Sequence, residues 1–591
     1  MTGRGATPDT ILSLFAAEGA RFNARNLSTA AHRVAKFGGG IRTRVRRDRR
    51  ATALADACRM RAREFDAQNL ANTAWGFAKA GIEAPLLFGT IADETLRRLD
   101  DFNPQNLANT AWAFATARVE ADRLFRAIAS IALARLDDFN PQALANTSWA
   151  FATNKARSPR LFAAIANAAT SRVGEFKTQE LANTAWAFAT AGYKKEARLF
   201  DAIAATARPR LRDFKVRELA NVLWAFATLG VDAPAFFEAI ADAARLRLGE
   251  FYARDISITV WAFATAGVEA RHLFDAVAKA APRPRLVDGF ESRDLATTAW
   301  AFAKARVDAP RFLDEIADVA RSRLDEFNAH DLAKTAWALA TAAVDAPRLY
   351  AAIVEAVVGS RRLRDLSARD LANISWAFAT VGVQAPRLFD EIARAVRSRL
   401  RSFDSSALAA AAWAFACADS KDPDVFLDLL VASEQENNIH ALDDRGLSQL
   451  YLVTLHFRLE WPGRLSRRGR LEDLFERAYQ RTQNDRPSEL HREVAAALDR
   501  VGWAHVLEHR TTEGLSLDMA QLETKRAVEV DGPARFLRGA NRWVENGPLR
   551  LKSRLLLRLG WDVARVPFFE WCALHGQGEQ DAYVRAKLGI E

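Results

Sequence analysis

The sequence has 591 residues but only three cysteines, three methionines and six tyrosines. Cys58, Cys417 and Cys572 are scattered through the length, so they supply neither a disulfide framework nor a four-ligand zinc site. Glycine is sparse at 29 residues, which excludes a collagen-like chain, and 50% hydrophobic residues exclude extensive disorder. No uninterrupted apolar run of about 18 residues occurs, so no membrane span is expected. Acid is in modest deficit, with 73 Asp+Glu against 83 Lys+Arg for a net charge of +10. Against the shortage of tyrosine stand 15 Trp and 36 Phe.

Position explains the tryptophans. Trp75, Trp112, Trp149, Trp186, Trp224, Trp261, Trp300, Trp337, Trp376 and Trp413 recur every 37 to 39 residues, each in one phrase, LANTAWGFA at Leu70–Ala78 in its first full copy. The chain is a tandem array. A degenerate copy, LSTAAHRVA at Leu27–Ala35, precedes them with His32 in the Trp position. Within each unit, Asn103-Pro104 reads as the start of a first helix, and Gly81, Gly192, Gly230 and Gly267 as its end. Pro85, Pro234, Pro310, Pro347 and Pro386 then open a second helix. Two helices of roughly 12 to 16 residues fill the period, which is the unit of an α-solenoid. The fold expected is mainly α, ten to eleven helix pairs followed by a small α/β domain.

The first helix carries Leu, Trp and Phe at offsets −5, 0 and +2 from the Trp, with Ala at most other positions. It is expected to pack on two sides, with the Trp and Phe as buried seams that touch no ligand. Tyrosine is scarce because its hydroxyl would need a partner there.

Polar rows survive on this helix. At −3 stand Asn72, Asn109, Asn146, Asn183, Asn221, Ile258, Thr297, Lys334, Asn373 and Ala410. At −7 stand Gln68, Gln105, Gln142, Gln179, Arg217, Arg254, Arg293, His330, Arg369 and Ser406, and at +4 mostly threonine. Spacings of four and seven place the rows on one face. Either these groups bond to neighbouring units and hold register, or they face a linear polymer and bond to successive bases of single-stranded RNA, one base per unit. The change from Gln to Arg or His along the −7 row favours the second reading there. Arg42, Arg44, Arg46, Arg47, Arg49 and Arg50, with Asp48 the only acid among them, offer phosphate contacts or form a solvated basic arm or remnant targeting segment.

LANTAWAFA at its 38-residue period resembles the octotricopeptide repeats of algal organelle proteins. The resemblance covers residues 61–425 and departs at Ile258, Thr297, Lys334 and Ala410. It implies an RNA-binding protein in post-transcriptional control of organelle transcripts (processing, stability or translation), located in the chloroplast or mitochondrion, with other organelle RNA-processing proteins as partners. No transit peptide is evident, since Asp9 and Glu18 lie in the first 25 residues. The alternative of another class is a protein–protein scaffold, which uses the same architecture.

The domains expected are 1–60, a basic segment with the degenerate repeat; 61–425, the array; 426–487, a linker and helical connector; and 488–591, the α/β domain. Lys525–Pro533, Leu551–Leu556, Gly560–Val563, Val566-Pro567, Glu570-Trp571 and Tyr583 in the last resemble a RAP domain, which implies RNA binding and a restriction-endonuclease-like fold, some relatives being regarded as nucleases. Metal-dependent cleavage needs carboxylates on Mg²⁺ and a group that activates water. Glu493, Asp518, Glu529, Asp531 and Lys552 are the catalytic candidates, with Asp518 and Glu529 for the metal. Against an endoribonuclease, Glu529-Val530-Asp531 ends in Asp where the nuclease pattern has Lys. His505-Val-Leu-Glu-His509 matches a zinc-protease phrase but reads as a strand, which separates the two histidines. No phosphate-cradling loop or nucleophile elbow occurs, so neither cofactor nor small-molecule substrate is expected, Mg²⁺ aside if the last domain cleaves.

Overall fold

The structure, a computed structural model, describes residues 7–37, 45–280, 289–358, 362–464, 472–482, 488–539 and 542–590. It divides into two compact units, Met1–Val277 and Ala278–Glu591.

In the first unit helix pairs stack consecutively. The first helices are Ala24–Phe37, Ala67–Ala80, Pro104–Ala117, Pro141–Thr153, Thr178–Thr190, Val216–Leu229 and Ala253–Ala266, and each packs on the next. The degenerate copy is therefore a true helix of the array, with His32 stacked on Trp75 at 4.9 Å. A further helix, Pro8–Glu18, precedes it. Arg42 and Arg44 of the basic run lie outside the described residues; Arg46 pairs with Glu83, and Arg50 with Asp9 and Asp48.

Local chemistry starts and stops these helices as the sequence suggests. The side chains of Asp66, Asn103 and Asn140 accept hydrogen bonds from the third residue beyond each cap. Gly81, Gly230 and Gly267 adopt φ of 71°, 68° and 69° at the C-termini. Arg118 and Lys155 take the same left-handed conformation without the freedom of glycine.

The seam between units is phenylalanine. Leu and Phe at −5 and +2 are fully buried, as at Leu107 and Phe114. Phe88, Phe125, Phe162 and Phe200 of the second helices meet Phe114, Phe151, Phe188 and Phe226 of the next unit edge-on, at 5.0 to 5.1 Å. Register is fixed by arginine. Arg135, Arg172, Arg210 and Arg247 donate to the backbone carbonyls of Phe102, Phe139, Phe176 and Phe214, in each case 33 or 34 residues earlier, at 2.8 to 3.0 Å.

The second unit repeats the pattern in Ser292–Lys304, Ala329–Thr341, Ala368–Val381 and Ser405–Cys417, and Arg323 and Arg399 make the same bond to Phe290 and Leu366. Asp443, within the segment expected as linker and connector, caps a 17-residue helix, Asp444–Glu460, that packs on Ser405–Cys417 and continues the stack.

The C-terminal domain follows the helix Glu489–Arg500 with a four-stranded sheet of order β1-β2-β3-β6. β1 (Val506–Arg510), β2 (Ser516–Gln521) and β3 (Arg526–Asp531) are antiparallel. β6 (Asp562–Pro567) joins β3 in parallel after the crossover helix Gly547–Arg558. A separate hairpin of β4 (Phe536–Arg538) and β5 (Trp543–Glu545) was not foreseen from the sequence, being only three residues a strand.

This domain seats on the C-terminal ends of three first helices of its own unit. Arg538 N–H donates to the Ala343 carbonyl, Arg550 to Gly382 and Arg554 to Ala416. Cationic side chains at helix C-termini complement the negative end of the helix dipole. A methyl group at Gly547 would overlap the Ala379 carbonyl, so only glycine allows this approach.

Two outcomes follow. Arg172→Ala removes a charged bond to a carbonyl and is expected to lower stability by about 1–2 kcal/mol in urea titration. His456, buried against Phe426 and Trp461 with no partner on Nε2, is held by burial down to about 4. Its charged form is disfavoured in the fold, so stability is intact above the ordinary 6.5 and falls as pH drops towards 4, by about 3 kcal/mol. His456→Phe is expected to flatten that part of the acid-unfolding curve.

Candidate nucleic-acid interface

At 100° per residue, the Trp lies within about 60° of offsets −7, −3 and +4, whereas Leu at −5 and Phe at +2 lie opposite. The structure follows this arithmetic and corrects the expectation that Trp and Phe share the buried seam. Phe is buried; of the ten repeat tryptophans, Trp75 through Trp376 are each half-buried and Trp413 alone is buried.

The indoles form ladders. In the first unit Trp75, Trp112, Trp149, Trp186 and Trp224 stand 6.1 to 6.2 Å apart, centroid to centroid, tilted by about 30°. In the second, Trp337, Trp376 and Trp413 repeat the 6.2 Å step. Lys79 lies 4.9 Å over Trp75 and Lys334 5.4 Å over Trp300, showing that these rings accept a cation on the face.

The polar rows flank the ladder. In the first unit Asn72, Asn109, Asn146, Asn183 and Asn221 are half-buried, and Gln68, Gln105, Gln142, Gln179, Arg217 and Arg254 are exposed. Among the described residues none of these side chains bonds to another protein group, nor does Asn373 in the second unit. The Asn row therefore does not act as a register ladder, a task that the arginine–carbonyl bonds perform. In the second unit Arg293 is exposed, while His330 contacts Asp370 at 2.8 Å, Arg369 pairs with Asp404, and Lys334 donates to Thr297 at 3.1 Å, joining two members of the −3 row.

The C-terminal domain holds a second polar site, in a cavity of about 530 Å³. Asp518 and Glu529 come together there, the Asp518 backbone N–H lying 3.4 Å from Glu529 and the Asp518 carboxylate accepting from Val530 N–H at 2.7 Å. Lys552, the basic member of the candidate set, reaches Glu529 at 2.6 Å from the crossover helix. Burial, with the charge of Glu529 added, pushes the Asp518 carboxyl up to about 6. Asp531 is engaged by Arg565 instead, and Glu493 accepts from the Trp571 indole at 3.0 Å, so Glu493 lies in a different set of contacts.

His491 and Glu508 were missed. His491 Nε2 lies 3.4 Å from Asp518, and its Nδ1 3.7 Å from Glu508. The legible signal was strand register, since Glu508 falls between the Leu507–Met519 and His509–Leu517 pairs and so opposite Asp518. Val506 to His509 of the His505–His509 phrase lie on β1, as expected of a strand, with His505 just before it against the Trp503 carbonyl and His509 against Trp561.

Stacked helix pairs bearing a small mixed domain define a helical-repeat protein of the α-solenoid class. A family model described as "RNA-editing substrate-binding complex 6 protein" matches residues 19–171 and 150–423, and the chain belongs to that family; residues 528–587 match the RAP domain. A "RAP domain-containing protein, chloroplastic" of Oryza sativa subsp. japonica is 28% identical over 188 residues, which cover 30% of this chain and only 29% of that relative. A solved structure titled "Homology model of the full-length AP-3 complex in an intermediate open conformation" aligns over 80% of this chain and 86% of its own, at 10% identity and a TM-score of 0.31, too low to inform the fold. No helix among the described residues is long and apolar enough to cross a membrane.

If the Asn row bonds to nothing in the protein, Asn146→Ala is expected to change stability by less than about 0.5 kcal/mol, whereas Phe151→Ala, in the seam, loses about 3–5 kcal/mol. A loss above about 1.5 kcal/mol for Asn146→Ala in chemical denaturation would restore the register role.

Proposed function

We propose that the chain binds single-stranded RNA on the face formed by the tryptophan ladder and its flanking Asn and Gln/Arg rows, and acts in post-transcriptional control of organelle transcripts. The observation that carries this is that in the first unit, among the described residues, a periodic row of amide and guanidinium side chains has no protein partner and lies beside half-buried stacked indoles. One set per unit suits a polymer with one base per repeat. The amides bond to base edges, Arg217 and Arg254 neutralise phosphates, and the net charge of +10 favours a polyanion. The description of the family and the name of the rice relative support an RNA partner and an organelle setting. A bound array would block exonucleases or hold a hairpin open, so that transcript stability or translation changes.

The test is selection of bound sequences from a transcript pool, followed by titration in salt. Affinity is expected to fall steeply with salt, and Arg217→Ala with Arg254→Ala to reduce the log–log slope by about 1.4, or 0.7 for each lost phosphate contact. Gln105→Ala, Gln142→Ala and Gln179→Ala are expected to relax base preference at three positions, at about 1–3 kcal/mol each, and leave the slope unchanged. Absence of retained RNA at low salt, or affinity indifferent to salt, contradicts the reading.

A further inference from the structure

We propose that His491, Glu508 and Asp518 form a binding site for one divalent first-row transition-metal ion in the cavity of the C-terminal domain. One ligand atom from each residue falls within 4.8 Å of the others. The 3.4 Å between His491 Nε2 and Asp518 matches the separation of about 3.0–3.5 Å between neighbouring ligands of an ion with bonds of about 2.1 Å. Both edges of the ring face carboxylates: Nδ1, which makes no hydrogen bond, lies 3.7 Å from Glu508, as Nε2 lies against Asp518. Three different elements supply the ligands, the helix Glu489–Arg500, β1 and β2, and the sheet register holds Glu508 opposite Asp518 without the ion.

The ligand set selects the class of ion. Imidazole with two carboxylates suits Mn²⁺ or Zn²⁺, whereas Mg²⁺ prefers oxygen ligands and retains its waters. Glu529 lies beside the site with Lys552 on it, so Lys552 offsets the neighbouring negative charge without occupying a ligand position. All three residues line the one cavity of about 530 Å³, which has room for water on a bound ion. Binding at these residues does not depend on RNA contact at the repeat face.

The test uses the full chain stripped with a chelator and titrated with Mn²⁺, free ion being followed by electron paramagnetic resonance. One equivalent is expected to bind, at least about tenfold more tightly than Mg²⁺ in competition. His491→Ala and Asp518→Asn are each expected to weaken it at least about tenfold, while Gln105→Ala leaves it unchanged. Anomalous scattering from crystals soaked in Mn²⁺ requires no variant to fold, and is expected to place the ion beside His491 and Asp518. No bound equivalent of Mn²⁺ or Zn²⁺, equal affinity for Mg²⁺, retention of binding in both variants, or an ion located elsewhere would overturn the proposal.

Discussion

The architecture rests on one constraint: a first helix that must be buried along both flanks. Alanine at most of its positions lets neighbouring backbones approach, and the Leu and Phe at −5 and +2 fill the seam so closely that Leu107 and Phe114 have no exposed surface. No helix of this kind is stable alone, because its apolar circumference needs a neighbour before and after it. The same requirement leaves one narrow strip of each helix uncovered, and every residue with a claim to function in the array lies on that strip.

Packing and display are thus separated by angle. The seam side is closed by Phe–Phe edges and by arginines bonded to carbonyls one unit back, all satisfied within the protein. The opposite strip carries indoles stacked on one another and amides that, among the described residues, have no protein partner. Buried polar groups without partners are costly, whereas half-exposed ones are held ready for a ligand. The C-terminal domain uses the helix ends of its own unit in a third way, placing Arg550 and Arg554 on the carbonyls that terminate them.

Much of this was legible. The 37-residue Trp interval gave the unit, proline and glycine gave the helix boundaries, and four of the six strands have counterparts in the sequence pattern, the two three-residue strands of the β4–β5 hairpin having none. The burial of tryptophan was misjudged because hydrophobicity was weighed ahead of angle; helical geometry alone sets the Trp beside the Asn row and opposite the Phe. The arginine bonds escaped because they are made to backbone carbonyls, which leave no trace in residue type. In the last domain, Asp518 and Glu529 were read from adjacent strands, while Lys552 required the crossover helix and His491 the packing of Glu489–Arg500 on the sheet, contacts that local spacing does not encode.

The central claim is that the tryptophan face is the RNA surface. Ultraviolet crosslinking of the purified chain to single-stranded RNA, with crosslinked peptides identified by mass spectrometry, tests it most directly. The account predicts crosslinks in the first helices, at Trp112, Trp149, Trp186 and their flanking Asn and Gln. Crosslinks confined to the second helices, such as Asp122–Ala134 and Pro159–Ser171, with the tryptophan peptides unmodified, would contradict it.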